Sequence, residues 1–434
     1  MRAGRDDMKA PGNTGKSAEP KSWGVAGHSR AARLKRCYPT VEDLRKRAQR
    51  RVPRLGYDTV AGGTGNDQCV ARNAAALDAI EIVPRYGVDR EEVSTEVELF
   101  GRRYAAPLGV APMGLQGVMW PGAERHLARA AQKARIPYTA GTVGGVELED
   151  LAALAPDVIW FQLYRFAAND HAVGMDLVKR AKAAGVHVLV LTLDTPTRAK
   201  RPRELRNRLV LPFRPSPCMV LEALSCPAWL AALITQGRPS FPNLARYVGS
   251  NPTKADIAYF AQNALAGSFT WEEVARYRDL WAGPMVLKGI MHPADAETAV
   301  SLGIEGIQVS NHGGRQFETA PAAIDAVPSV VLAVGKRATV LFDGGVRSGI
   351  DVLRALAVGA QAALAGRAFL YGVAAIGAEG ADFVTSLLIE EFHVAMRQAG
   401  VHAVPDISTL AVRHPGALQI WPAGPTLAQV GFGR

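Results

Sequence analysis

Residues 310–316 read Ser-Asn-His-Gly-Gly-Arg-Gln and bring a hydroxyl, an imidazole, two glycines and a guanidinium into one turn. An imidazole titrates near neutral pH and can serve as a base, and a guanidinium three residues on can clamp an anion. The glycines let the backbone come close to a flat ligand. These residue types alone leave open a polar loop with a chance histidine. What decides between the two is the chemistry that the rest of the chain gathers around this turn.

The turn follows an apolar run, and the chain repeats that pattern. Short β-branched or apolar runs ending in Gly, Asp, Thr or another polar residue occur at 107–113, 136–142, 158–164, 186–194, 285–290, 306–312, 340–345 and 362–366. Amphipathic helical patterns separate most of them, for example at 176–184 and 293–302. Eight strand–helix units predict a closed parallel (β/α)8 TIM barrel rather than an open doubly wound sheet. No GxGxxG follows the first strand, which argues against a dinucleotide fold. Ahead of the barrel, Thr40 is placed to cap a helix through Val41, Leu44 and Ala48. A second helix is expected to end at Gly62-Gly63, and a third to span 66–77. The expected organisation is a basic, disordered or loosely docked arm at 1–35 and an N-terminal helical segment at 36–106. The barrel follows at 107–410, with an insertion at about 198–283 and a C-terminal tail at 411–434.

In such a barrel the chemistry belongs at the C-terminal strand ends. Those ends carry Gln162 and Tyr164, Thr192 and Asp194, Lys288, then Ser310, His312 and Arg315, and finally Asp343 and Arg347. A buried Lys288 needs an anionic partner. Glutamine and threonine suit the edge of a heteroaromatic ring, although both are also ordinary strand-end residues. Asp343-Gly-Gly-Val-Arg-Ser-Gly and Gly366-Arg367 follow the last two strands. Glycine turns opening helices there are the usual phosphate site of these barrels.

The chain has 434 residues, nearly half of them apolar, and a formal charge of +10. That charge fits nucleic acid, an anionic membrane, or an acidic substrate with an anionic cofactor. The lack of C2H2 spacing and of a basic stripe interleaved with aromatics ranks nucleic acid last. Four unpaired-looking cysteines fit a reducing compartment, and no metal site is expected. No apolar run approaches the roughly 18 residues of a membrane span. A cytoplasmic protein is expected, with contact at the inner membrane face left open. The insertion opens with Arg198, Lys200, Arg201, Arg203, Arg206 and Arg208 and continues into an apolar stretch at 219–234 broken by Glu222 and Pro227. That stretch is either a helix packed on the barrel or a membrane-docking element.

These motifs carry a family resemblance. The chain resembles the FMN-dependent 2-hydroxy acid oxidases and dehydrogenases, which include L-lactate dehydrogenase, glycolate oxidase and mandelate dehydrogenase. The likeness runs from about residue 40 to about 400 through Ala111-Pro-Met-Gly, Trp160-Phe-Gln-Leu-Tyr, Leu191-Thr-Leu-Asp-Thr-Pro, Leu287-Lys-Gly-Ile, the 310–316 heptad, Asp343-Gly-Gly-Val-Arg and Gly366-Arg. Its long fourth connection looks most like that of the bacterial L-lactate dehydrogenases that reduce quinone.

The resemblance implies FMN as cofactor and a small 2-hydroxy acid as substrate. Pro112, Met113 and Gly114 would line the flavin ring. Gln162, Thr192, Lys288 and Ser310 would bind its ring and ribityl groups. Asp343, Gly344, Gly345, Val346, Arg347, Gly366 and Arg367 would hold the ribityl chain and phosphate. His312 would accept the proton and Asp194 orient it. Arg315 and Arg201 would clamp the carboxylate, and Tyr164 would touch the hydroxyl or keto oxygen. Quinone, oxygen or a cytochrome would take the electrons, and a homotetramer is the family's common state.

Two positions depart from the pattern. Thr59 stands where the family usually has a carboxylate-binding tyrosine, and Tyr57 would point elsewhere on the helix. Gly141 stands where a serine near the flavin is common, leaving Thr142 as the nearest hydroxyl. Thr59 opens the substrate to a larger 2-hydroxy acid or a peptide-derived group. A non-catalytic flavin-binding protein is a further alternative, opposed by the presence of His312, Asp194, Arg201 and Arg315.

Overall fold

The computed structural model describes residues 29–87, 92–208, 216–265 and 267–418. Two compact units divide between Pro39 and Thr40. The first contributes the helix Arg30–Cys37, capped by the Ser29 hydroxyl and burying no residue. The arm expected over 1–35 otherwise lies outside the described residues.

The second unit is built on eight parallel strands: β1 Leu108–Val110, β2 Tyr138–Gly141, β3 Ile159–Leu163, β4 Val188–Thr192, β5 Met285–Ile290, β6 Gly306–Val309, β7 Thr339–Asp343 and β8 Ala362–Ala365. β8 pairs back onto β1, Ala363 opposite Leu108 and Ala365 opposite Val110, and closes the barrel. Seven of the eight expected runs contain their strands, and the run at 340–345 begins one residue after its strand, which starts at Thr339. Most runs overshoot at the C-terminal end, where the polar residues leave the ladder to build the site. Every position of β3 and β4 is buried, as a parallel sheet covered on both faces requires. Trp160 and Phe161 of β3 and Phe342 of β7 are fully enclosed.

Three helices precede the barrel: Val41–Arg51, Arg54–Ala61 and Gln68–Asp78. Thr40 starts the first with a reciprocal capping box to Asp43. Leu44 and Ala48 on its inner face are buried, and the helix packs on Arg367–Ile376, the helix that follows β8. The strand Glu81–Val83 pairs antiparallel with Ala411–Arg413, so the tail expected from residue 411 opens with a strand.

Among the described residues the connection from β4 to β5 carries six helices: Pro202–Arg206, Pro217–Leu224, Pro227–Gln236, Pro242–Ala245, Lys254–Ala264 and Trp271–Leu280. Pro217–Leu224 and Pro227–Gln236 meet at 99° and neither contains a buried residue, leaving Leu221, Leu224 and Ile234 exposed. Among the described residues no single helix is long and apolar enough to cross a membrane. Trp271–Leu280 returns the chain to the barrel. Its Glu273 accepts from Nε and Nη2 of Arg165, one residue beyond Tyr164, at 2.8 and 2.6 Å, and so ties the insertion to the end of β3.

Candidate active site

β6 ends at Val309, and the next five residues turn back over the barrel mouth. His312, Gly313 and Gly314 all adopt left-handed backbone, with φ of 58°, 64° and 76°. For a histidine this costs about 1–2 kcal/mol. The Ser310 hydroxyl offsets it by accepting the His312 N–H at 3.0 Å, and the buried Asn311 side chain accepts the Gly314 N–H at 3.2 Å. The turn aims the imidazole at Asp194, whose Oδ1 lies 2.9 Å from Nδ1. Asp194 reaches that place because residue 289 is glycine: a Cβ there would sit 2.5 Å from the Asp194 side chain, and its φ is 95°.

Burial holds the His312 imidazole below its ordinary pKa; Asp194 opposes the shift and Lys288 adds to it. Burial works to raise Asp194, yet the His312 and Lys288 charges, with the His312 hydrogen bond, hold it below the usual carboxylate range. At neutral pH the pair is therefore a carboxylate accepting Nδ1–H from a neutral ring, and Nε2 keeps its lone pair. That nitrogen lies 3.5 Å from the Tyr164 hydroxyl. The phenol in turn lies within the electrostatic reach of Lys288, Asp194, Arg201 and Arg315.

Arg315 and Arg201 come together through a residue not foreseen, Glu204. Its Oε1 accepts from Arg315 Nη2 at 2.9 Å and from Arg201 Nη1 at 3.3 Å. Arg315 Nη1 donates to the carbonyls of Thr59 and Gly62 at the end of the Arg54–Ala61 helix. Thr59 thus contributes its backbone, while its hydroxyl bonds to Leu55 within its own helix at 2.7 Å. Tyr57 points away, accepting from Arg45 and stacking on Tyr371. Burial, and then the charges of Arg201 and Arg367, bring Arg315 down to about 9. Part of the insertion's basic run is thereby site structure: Arg201 lies here, and Arg203 is held by Asp58 and Asp67.

Below this level lies a second polar cluster. Lys288 Nζ is 2.7 Å from Ser310 Oγ and 3.2 Å from Asp343 Oδ2, and Ser310 donates to Asp343 Oδ1 at 2.7 Å. Gln308 also donates to Asp343. Burial pulls the Lys288 amine down, but Asp343 and Asp194 together leave it raised, so it stays charged. Gln162 Nε2 donates to Thr192 Oγ1 at 2.9 Å across β3 and β4. Thr142 donates to the Gln162 carbonyl at 2.6 Å beside Gly141. Gly114 and Gly141 both lie where a Cβ would press on neighbours, Val143 and the Met113 carbonyl respectively.

At the far side, Gly344 and Gly345 take φ of 120° and 105°, and Gly345 packs on the Asn73 backbone. Val346 is buried, and its carbonyl accepts from Arg347. Gly366 meets the Met113 sulfur, which joins the ends of β1 and β8. The Arg367 guanidinium donates to the carbonyls of Val60, Gly62 and Gly313, and so braces the catalytic turn against the N-terminal helices. Burial and then the nearby Arg347 lower it to about 10. Two neighbouring guanidiniums at a helix start make a place for an anion.

Comparison with known proteins agrees. Residues 48–414 match the family model described as FMN-dependent dehydrogenase. The chain belongs to the FMN-dependent dehydrogenase family. It is 37% identical to an L-lactate dehydrogenase of Pseudomonas syringae pv. syringae (strain B728a) over 369 residues, 85% of this chain and 96% of the relative. It is 36% identical to (S)-mandelate dehydrogenase of Pseudomonas putida over 372 residues, 86% of this chain and 92% of the relative. Among solved structures, that of a monotopic membrane protein (S)-mandelate dehydrogenase superposes with a TM-score of 0.81 at 34% identity, covering 86% of this chain and 98% of that one. A mandelate oxidase with (S)-4-hydroxymandelic acid gives 0.74 at 36%, covering 87% and 99%.

FMN is the cofactor of this FMN-dependent dehydrogenase, and the residues fit it. Lys288 and the Gln162–Thr192 pair offer polar groups for a ring edge. The crowded glycines at 114 and 141 leave room for a flat group. Arg347 and Arg367, close enough for one charge to act on the other, offer positive charge for a phosphate. Glu204, Asn73 and Gln308 escaped the sequence reading. Gln308 had a signal, a polar side chain between Ile307 and Val309 in a buried strand. Glu204 had a weaker one, its spacing three residues beyond Arg201. Asn73 had none.

Proposed function

We propose that the enzyme oxidises an L-2-hydroxy acid to the 2-oxo acid. The observation that carries this is the 2.9 Å pairing of His312 with Asp194, with Arg201 and Arg315 close enough to share the field at Tyr164. Oxidising R–CHOH–COO⁻ to R–CO–COO⁻ removes two protons and two electrons, and bound FMN supplies the electron acceptor for that step. His312 Nε2 takes a proton from the hydroxyl or from Cα, and Asp194 stabilises the imidazolium that results. Arg315 and Arg201 bind the carboxylate and orient Cα. Tyr164 holds the oxygen that becomes the keto group. Lys288, kept charged by Asp343, favours negative charge in the ring beside it.

Thr59 favours a substrate larger than lactate. Its hydroxyl is committed to Leu55, and the phenol usual at this position is missing. A mandelate-like acid or a peptide-derived hydroxy group fits that opening. For the acceptor we favour a membrane quinone, supported by the exposed apolar pair Pro217–Leu224 and Pro227–Gln236 and by the likeness to a mandelate dehydrogenase described as monotopic.

The test is anaerobic addition of lactate, mandelate, longer 2-hydroxy acids and hydroxy-terminal peptides to the yellow holoenzyme, followed by reoxidation with oxygen or a quinone. One of the acids should bleach the flavin, and His312→Ala should retain flavin without bleaching. No bleaching by any member of the panel would overturn the proposal.

A further inference from the structure

We propose that Glu204 sets the charge of the carboxylate subsite and restricts it to a single negative charge, so that the enzyme selects monoanionic 2-hydroxy acids over dianionic ones. This rests on the reading that Arg201 and Arg315 bind the substrate carboxylate.

Glu204 is the first residue in the structure to use those two guanidiniums as a carboxylate would. A single oxygen, Oε1, takes a hydrogen bond from each. Its side chain is only 15% exposed, so water screens the interaction weakly. Arg315 has five N–H groups. Two bonds from Nη1 to backbone carbonyls and one from Nη2 to Glu204 leave two for a ligand. Arg201 keeps three after its contacts with Glu204 and the Arg315 carbonyl. Donors for a second carboxylate therefore remain with Glu204 in place.

The charge balance gives the selectivity. Two guanidiniums less one resident carboxylate leave one positive charge. Of the other acids near the reaction centre, Asp343 is matched by Lys288, whereas Asp194 keeps its negative charge beside a neutral His312. A monoanion neutralises the subsite. The second charge of a dianion meets the carboxylates of Glu204 and Asp194 nearby. Without Glu204 the two guanidiniums would face one another with no resident carboxylate between them, and a second negative charge would be accommodated there.

The test uses holoenzyme and two unreactive probes, propionate as the monoanion and malonate as the dianion, with dissociation constants read from the change in flavin absorbance. Glu204→Gln keeps an oxygen acceptor and removes the charge. It should raise the malonate-to-propionate affinity ratio by at least about tenfold, whereas Glu204→Asp should keep the wild-type ratio. A residue that only props up the arginines would, on substitution, weaken both probes equally. An unchanged ratio in Glu204→Gln therefore overturns the proposal, while the role of the arginines stands. If Arg315→Met binds propionate as wild type does, the reading of the arginines fails and this inference with it.

Discussion

Asn73 and Asn311 face one another with both amides paired: Asn73 Nδ2 donates to Asn311 Oδ1 at 2.9 Å and Asn311 Nδ2 to Asn73 Oδ1 at 2.8 Å. The two oxygens take further N–H groups, from Ala323 and Gly314, at 3.1 and 3.2 Å. A helix outside the barrel thereby grips the residue beside His312. Asn73→Leu keeps the volume but leaves the Ala323 N–H and one Asn311 N–H without an oxygen acceptor, while the Asn311 amide keeps the Pro321 carbonyl and the Gly314 N–H. With two groups orphaned at about 1–3 kcal/mol each, urea unfolding should show a loss of about 2–4 kcal/mol. The left-handed turn should loosen, and turnover should drop more than the bound flavin does. Asn73→Leu with Asn311→Leu should cost less than the sum of the single changes. Full additivity would mean that the clasp does not couple the two elements.

The His312–Asp194 pair gives a pH dependence with a definite sign. The base works only when neutral, so kcat/KM should fall as pH drops through the His312 pKa, which burial places below the ordinary 6.5. Asp194 is the group raising that pKa. In Asp194→Asn the acid limb should therefore move further toward low pH, while the rate on the plateau falls by about 10²–10⁴ as the imidazolium loses its counter-charge. A limb that moves to higher pH would show that Asp194 does not face a titrating His312.

Much of this was legible in the sequence because a parallel barrel writes its strands as unbroken apolar runs and its chemistry as the residues that end them. Lys288, Ser310 and Asp343 lie on three different strands, yet strand-end position alone grouped them. Pairings made through the N-terminal helices were not legible. Asn73 touches Asn311 across 238 positions of chain, and no local pattern encodes a contact of that range. The motif at Arg367 suggested a phosphate ligand. It did not announce that the same guanidinium also donates to the carbonyls of Val60, Gly62 and Gly313, because those partners come from distant parts of the chain. The insertion's basic run likewise mixes site arginines with surface ones, which composition cannot separate.

Glu391 carries a second, structural pH dependence. Burial raises its carboxyl to about 7, although Oε2 accepts the Gly349 N–H at 2.8 Å. Its folded pKa thus lies above the ordinary value of 4.5. The folded state holds the proton more tightly, so stability declines as pH rises from about 4.5 to about 7 and stays lower above that. Glu391→Gln keeps an acceptor for Gly349 and removes the charge. Its melting temperature should exceed that of the wild type at pH 8 and match it at pH 4.5. Equal melting temperatures at both values would mean that Glu391 ionises without cost.

The exposed helix pair makes the membrane proposal testable residue by residue. Glu222 accepts the Arg54 N–H at 3.0 Å, so one side of Pro217–Leu224 faces the body of the enzyme. Leu221 and Leu224 are 67% and 58% exposed, and Ile234 on the following helix is 75% exposed. Among the described residues no internal partner covers these three side chains, whereas an interface would bury each for about 1.5–3 kcal/mol. Leu221→Glu with Leu224→Glu should reduce co-sedimentation with anionic liposomes by at least about tenfold while leaving flavin bleaching by substrate intact. Raised salt should weaken wild-type binding only in part, since the apolar contribution is not screened. If the double variant sediments like the wild type, these helices are not the docking element. If salt alone releases the wild type completely, the contact is made by the basic residues and the apolar face serves some other end.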